Sequence, residues 1–333
     1  MKKWIAWIAA ALIVAGLIFG GTALKDAEED GVTPLRLSEV THSVFYAPQY
    51  AAMAQGFFAE EGLELELING GGADKVMISV LTGEADIGLA GPEACIYTLL
   101  EGREDPPRIF AQLTNCDGAF LVGRTAEDFR WDALRGKTVI GGRKGGVPEM
   151  TLEYVMRRNG VIPHVDATVD TSVQFNMMAG AFTAGNGDYV TLFEPTATEV
   201  ELAGQGHILC SIGAESGEIP YTAYFAAGSL LEEQPELIQR FTNAVAKGLR
   251  WVAEHSDREV AETVAPFFPD TSVEVLTKVV ERYRGIGAWK ETPVMTEESL
   301  LRLETVMEEA GELSRRVTFA DLVENRFAEA ALR

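Results

Sequence analysis

The chain has 333 residues, 47% of them hydrophobic, and sets 50 acidic side chains against 28 lysines and arginines, a formal net charge of −22. Negative charge spread along the chain, with no basic stripe, excludes nucleic-acid binding and disfavours an anionic membrane surface. The apolar content is that of a folded protein, and the length suffices for two domains with separate cores. Three cysteines, Cys95, Cys116 and Cys210, are too scattered for a disulfide framework or a CxxC metal spacing. They read as buried thiols, with one disulfide as the alternative.

Lys2 and Lys3 precede an uncharged apolar stretch from Trp4 to Leu24, followed by Lys25 and the acidic run Asp26 to Asp30. Residues 1–24 are therefore expected to be a signal peptide or an N-terminal membrane anchor. The chain is exported, to the periplasm or the outer face of the cytoplasmic membrane. Gly21-Thr22-Ala23 offers small residues for cleavage, and the stretch is also long enough to cross a bilayer uncleaved. Both outcomes stay open. The first cysteine is Cys95, so no lipid anchor is expected at a processed N-terminus.

Leu35 to Val40 alternates as a strand, Tyr46 to Phe58 is predicted helical with Pro48 in its first turn, and Gly62 precedes a strand over Leu63 to Ile68. Gly70-Gly71-Gly72 leads into a helix over 74–82, Gly83 stops it, and Ile87 to Ala90 is a short apolar strand before Gly91-Pro92-Glu93. Strands are expected at Arg108 to Leu113 and Ala119 to Gly123. Residues 137–195 then repeat the order of 35–93: a strand, Arg143-Lys144-Gly145-Gly146, Pro148 and a helix, Gly160, a strand, Asp170-Thr171-Ser172, a helix, a short strand, and Phe193-Glu194-Pro195. His207 to Ile212 and Tyr221 to Ala227 read as strands. From Pro235 the chain is helical, over 236–254, 258–265, 272–284 and 297–312. Such a repeat predicts two similar α/β lobes with a cleft between them, where small ligands bind. The helical tail is expected to pack back on the first lobe. With crossings near Leu121 to Gly123 and Tyr221 to Phe225, lobe 1 takes residues 33–122 and 226–333, and lobe 2 takes 123–225.

The run His42-Ser43-Val44-Phe45-Tyr46-Ala47-Pro48, Gly56-Phe57-Phe58 with Glu61-Gly62-Leu63, the glycine turn before Asp74, the Gly83/Asp86 pair and Phe193-Glu194-Pro195 resemble the periplasmic binding proteins of ABC importers. More narrowly, they resemble the branch that takes up nitrate, alkanesulfonates, taurine and pyrimidine precursors of thiamine. The order and spacing of the pieces carry the resemblance, which covers nearly all of the exported chain. It implies a type II periplasmic binding protein fold, two α/β lobes joined by two crossover segments. It also implies a small-molecule ligand handed to a permease and ATPase complex at the membrane, by a monomer with no cofactor.

Catalysis is not expected. His42, His164, His207 and His255 are dispersed, and neither a Gly-x-Ser-x-Gly elbow nor a His-Glu-x-x-His helix is present. An exported enzyme of the same fold and a sensory ligand-binding domain are the alternatives. Candidate ligand contacts are Gly71, Gly72 and Ala73 at a helix start, where free N–H groups favour an anion or a carbonyl. Lys144, Gly145 and Gly146 repeat that arrangement opposite. Tyr46, Phe193 and Tyr221 supply flat faces, Asn115 and Asp117 lie at a strand end, and His42 belongs to the first loop. Glu93 and Glu194 close the matching short strands, at the carboxyl edge where such clefts lie. Two carboxylates there favour a nitrogen-bearing solute of the aminopyrimidine or thiamine-precursor type over a sulfonate, taurine or nitrate.

Overall fold

Ten strands are present among the described residues, 31–333, of this computed structural model. The apolar segment, with its signal or anchor reading, lies outside the described residues. Among those described, no helix is long and apolar enough to cross a membrane. In chain order the strands are β1 (Thr33–Glu39), β2 (Leu63–Asn69), β3 (Ile87–Ala90), β4 (Arg108–Thr114), β5 (Ala119–Gly123), β6 (Thr138–Ile140), β7 (Thr168–Asp170), β8 (Tyr189–Phe193), β9 (His207–Ser211) and β10 (Thr222–Ala226).

They form two five-stranded sheets, ordered β2-β1-β3-β10-β4 and β7-β6-β8-β5-β9. In each, the strands of one sequence repeat pair in parallel, β1 with β2 and β3, and β6 with β7 and β8. An antiparallel strand then extends each sheet, β10 between β3 and β4, and β5 between β8 and β9. All four residues of β3 are buried, as expected for an apolar strand covered on both faces.

The chain crosses between sheets earlier than the sequence suggests. β5 pairs with β8 from Ala119 to Gly123, so Leu121 to Gly123 lies inside the second sheet and the outward crossing runs over residues 115–118. Tyr224 and Phe225 lie inside β10, and the return runs over 212–221. Once Ala119 enters the ladder its backbone groups are committed to the second sheet.

Ser43 caps a 3-10 turn at Val44–Tyr46 that leads into the helix Ala47–Ala54. The single helix expected over 46–58 is two, because Gly56 takes a left-handed φ of 77° before the short helix Phe57–Glu60. The long helix Pro235–Glu254 packs on Ala47–Ala54, and helix Asp257–Val264 packs on both it and Val273–Gly285. The tail does not rest on the first sheet's layer alone. Helix Glu297–Glu309 packs against Val147–Arg158, which follows β6, so the tail bridges the two halves.

Candidate ligand cleft

Both sheets turn their β-to-helix loops toward one cavity of about 60 Å³. The first half supplies Tyr46, the turn at Gly71 and Gly72, Ala73 and Asp74 at the start of helix Ala73–Leu81, and Glu93 at the start of helix Glu93–Leu100. Arg143, Gly146, Val147, Phe175 and Phe193 face them from the second half, with Tyr221 and Thr222 at the crossing. Glu93 can turn back into the cleft because Gly91 has no side chain: a Cβ there would run into the Glu93 carboxylate.

Glu93 is 1% exposed. Its Oε1 accepts a long bond, 3.4 Å, from the Val147 N–H across the cleft, while Oε2 has no partner. Burial pushes this carboxyl up to about 7, against the opposing pull of the Arg143 guanidinium and the Val147 N–H. Arg143 lies 3.8 Å from Asp74, joining the two walls by a half-exposed ion pair. The Tyr221 hydroxyl is likewise buried, next to the Asp117 carboxyl. Phe193 is the hub of an aromatic wall, 5.4 Å from Phe175, 5.5 Å from Phe45 and 6.0 Å from Tyr221 between ring centroids.

Of the residues singled out in the sequence, the cavity is lined by Tyr46, Gly71, Gly72, Ala73, Glu93, Gly146, Phe193 and Tyr221. Glu194 is a correction. Its Oε1 takes the Arg282 guanidinium at 2.6 Å and the Thr198 hydroxyl at 2.9 Å, and its Oε2 takes the Thr198 N–H at 2.9 Å. It therefore caps its own helix, Thr196–Leu202, with its charge met by Arg282, and it does not line the cavity. His42 is occupied by Glu39 at 2.9 Å and the Phe267 carbonyl at 2.8 Å, and hydrogen bonding to Glu39 raises its pKa. Lys144 points to solvent, its side chain 70% exposed and 3.3 Å from Glu312.

Gly145 holds the loop in place: its carbonyl accepts from the Tyr97 hydroxyl at 2.9 Å and its N–H donates to Glu149 at 3.1 Å. Asp117 sits beneath Tyr221, its Oδ1 accepting from Ala119 N–H at 2.6 Å and burial pushing the carboxyl up to about 7. Asn115 lines a separate opening with Glu218, Trp289 and Lys290. Sequence reasoning passed over Arg143, which adjoins Lys144 in the same loop, and Phe175, which lies in a stretch without periodicity.

Solved structures share this architecture. They include the ligand-binding component of an ABC-type import system from Staphylococcus aureus, with a TM-score of 0.74 and 13% identity over 90% of this chain and 99% of that one. The nitrate-binding protein NrtA from Synechocystis PCC 6803 aligns with a TM-score of 0.72 and 15% identity over 90% and 88% of the two chains. The alkanesulfonate-binding protein SsuA from Xanthomonas axonopodis pv. citri, bound to MOPS, gives 0.70 and 16% over 88% and 98%. The fold is that of the periplasmic binding proteins.

The particular family follows from sequence. The family model described as NMT1/THI5 like matches residues 44–259. "Putative binding protein YtlA" of Bacillus subtilis (strain 168) is 40% identical over 330 residues, 99% of this chain and 98% of that protein. The chain belongs to the NMT1/THI5-like family.

Proposed function

We propose that this chain is the exported, monomeric, non-catalytic solute-binding component of an ABC importer, which captures a small nitrogen-bearing organic solute between two closing lobes and delivers it to a permease. The importer role is supported by the fold shared with a ligand-binding component of such a system. The ligand class rests on one observation: Glu93, whose Oε2 is a buried acceptor with no partner, lines an aromatic-walled cleft. A buried polar atom left without a hydrogen bond is costly, and a ligand N–H supplies what it lacks. A planar heterocycle such as an aminopyrimidine, or another thiamine-precursor type, also suits Phe193, Phe175, Tyr46 and Tyr221, whose rings form the walls.

A second reading, a sulfonate, taurine or nitrate, is favoured by Arg143 and the N–H groups at Gly72 and Ala73, that of Gly71 being taken by the Asn69 side-chain oxygen at 3.2 Å. The Glu93 carboxylate opposes it, since it would repel a bare anion in the same small cavity. Calorimetric titration of wild type and Glu93→Gln with aminopyrimidine precursors, taurine, alkanesulfonates and nitrate tests the choice. The nitrogen-bearing solute should bind wild type and lose affinity on substitution. Tight binding of nitrate or a sulfonate that survives or improves in Glu93→Gln would move the protein to the anion-binding branch.

A further inference from the structure

Outside the lining of the cleft, on the helix that follows the Arg143 loop, lies a cluster that the dispersed histidines of the sequence conceal. Glu149 and Glu153 stand four residues apart on one face of helix Val147–Arg158 and are only 2% and 3% exposed. His164 reaches them from the following loop, its Nε2 2.6 Å from Glu153 Oε1. One donor atom from each of Glu149, Glu153 and His164 lies within 4.8 Å of the other two. We propose that Glu149, Glu153 and His164 form a binding site for a divalent transition-metal ion, with zinc as its readiest occupant.

Charge balance is the first argument. Glu153 is met by Arg157, 2.6 Å from its Oε2, and by His164. Glu149 accepts from the Gly145 N–H at 3.1 Å and its carboxyl lies in hydrogen-bond contact with that of Glu153, and among the described residues no lysine, arginine or histidine stands in ion-pair contact with it. The nearby Lys144 is taken by Glu312. An ion pair between Glu153 and His164 thus accounts for two members of the cluster and leaves the third, a buried carboxyl packed against Glu153, with no cation of its own, a place that a bound metal ion would fill as it displaces the proton.

Donor chemistry and access are the second. One imidazole nitrogen and two carboxylate oxygens are a three-ligand set that zinc accepts with water in the fourth place. Bonds of about 2.0–2.2 Å put neighbouring donors about 3.4 Å apart in a tetrahedral site. The contact between Glu153 and His164 has to widen and Glu149 has to close in, both within reach of glutamate side-chain rotations. The His164 side chain is 52% exposed, which leaves an entry path and room for the water. Its backbone is held in place: the His164 N–H donates to the Ala167 carbonyl at 2.8 Å, and Asp166 closes the loop onto the Ile162 N–H at 2.8 Å.

The experiment uses tag-free protein treated with a chelator and dialysed, titrated with zinc chloride by calorimetry and with cobalt(II) by visible absorption. Wild type should take up one ion per chain and show a tetrahedral cobalt spectrum. His164→Asn keeps a residue tolerant of the left-handed turn but is too short to reach the carboxylates, and Glu149→Gln removes one donor. Each should weaken zinc binding by at least about tenfold, with thermal unfolding confirming that both variants fold. Absence of stoichiometric binding in wild type, or binding undiminished in His164→Asn, overturns the site. Solute titrations run in chelator keep this outcome separate from the fate of the cleft assignment.

Discussion

Glu93 and Glu194 occupy equivalent places, each following the last short strand of its sequence repeat, yet they have opposite surroundings. Glu93 is buried with one oxygen unpartnered and its pKa pushed to about 7. Glu194 is equally buried, but Arg282, the Thr198 hydroxyl and the Thr198 N–H meet both its oxygens. The repeat copies the backbone and the carboxylate; it does not copy the partner. Arg282 comes from helix Val273–Gly285, in the tail that follows the second repeat and has no counterpart after the first. One glutamate is therefore left for a ligand, and its twin holds the second half to the tail.

The contrast can be broken at either end. Glu194→Ala strands the Arg282 charge and removes a helix cap, and should lower unfolding free energy by roughly 3 kcal/mol. Urea denaturation measures it, and a loss below about 1 kcal/mol would remove Glu194 from its structural role. Glu93→Gln should do the reverse. It leaves stability at pH 8 unchanged or slightly raised, and it weakens solute binding by about one to two orders of magnitude, the worth of one charged hydrogen bond.

Acid–base behaviour sharpens the same point. The folded-state pKa of Glu93, about 7, lies above its ordinary 4.5, so between those values the folded chain keeps a proton that the unfolded chain has released. Stability should therefore fall as pH rises from about 4.5 to 7, by on the order of 2–3 kcal/mol from this group. Asp117, pushed to about 7 by burial, acts in the same direction, as does Glu149, which burial and the neighbouring Glu153 carboxylate raise together. The difference between wild type and Glu93→Gln in chemical denaturation across that range isolates the Glu93 share; parallel profiles would count against its burial as a carboxyl. A solute that needs the carboxylate should bind more tightly over the same rise in pH.

Smaller effects test the walls. Tyr97→Phe deletes the bond from its hydroxyl to the Gly145 carbonyl across the cleft. It should cost about 1 kcal/mol, close to fivefold in solute affinity by calorimetry. Lys144→Ala should change stability by less than about 0.5 kcal/mol, since its pair with Glu312 is exposed and screened. A marked loss of solute affinity in Lys144→Ala would restore that lysine as the cleft's cation in place of Arg143.

Local patterns carried most of the architecture, because they are set by neighbours in sequence. The bounds of β3 and β5 agree with the apolar runs Ile87 to Ala90 and Ala119 to Gly123, and the glycine turns fall where the helices begin. What was not legible depends on partners far along the chain. Nothing near Glu194 announces Arg282. Arg143 and Lys144 are adjacent cations in one loop, and only the fold shows that the first faces the cavity and the second Glu312. The crossings were misplaced for a related reason: β5 reads as a strand whichever sheet accepts it, and its pairing with β8 and β9 is decided by residues 66 or more positions later.

The placement of β10 has a consequence for biosynthesis. All strands of the second sheet lie within 119–211, one uninterrupted stretch, so that half can assemble as soon as it has been made. The first sheet cannot. β10 lies between β3 and β4, so the strands of residues 33–114 have a gap inside their sheet, between β3 and the edge strand β4, until residue 226 has followed them. The half that is synthesised first is thus the half that closes last, and until then β3 and β4 present unpaired strand edges to other chains.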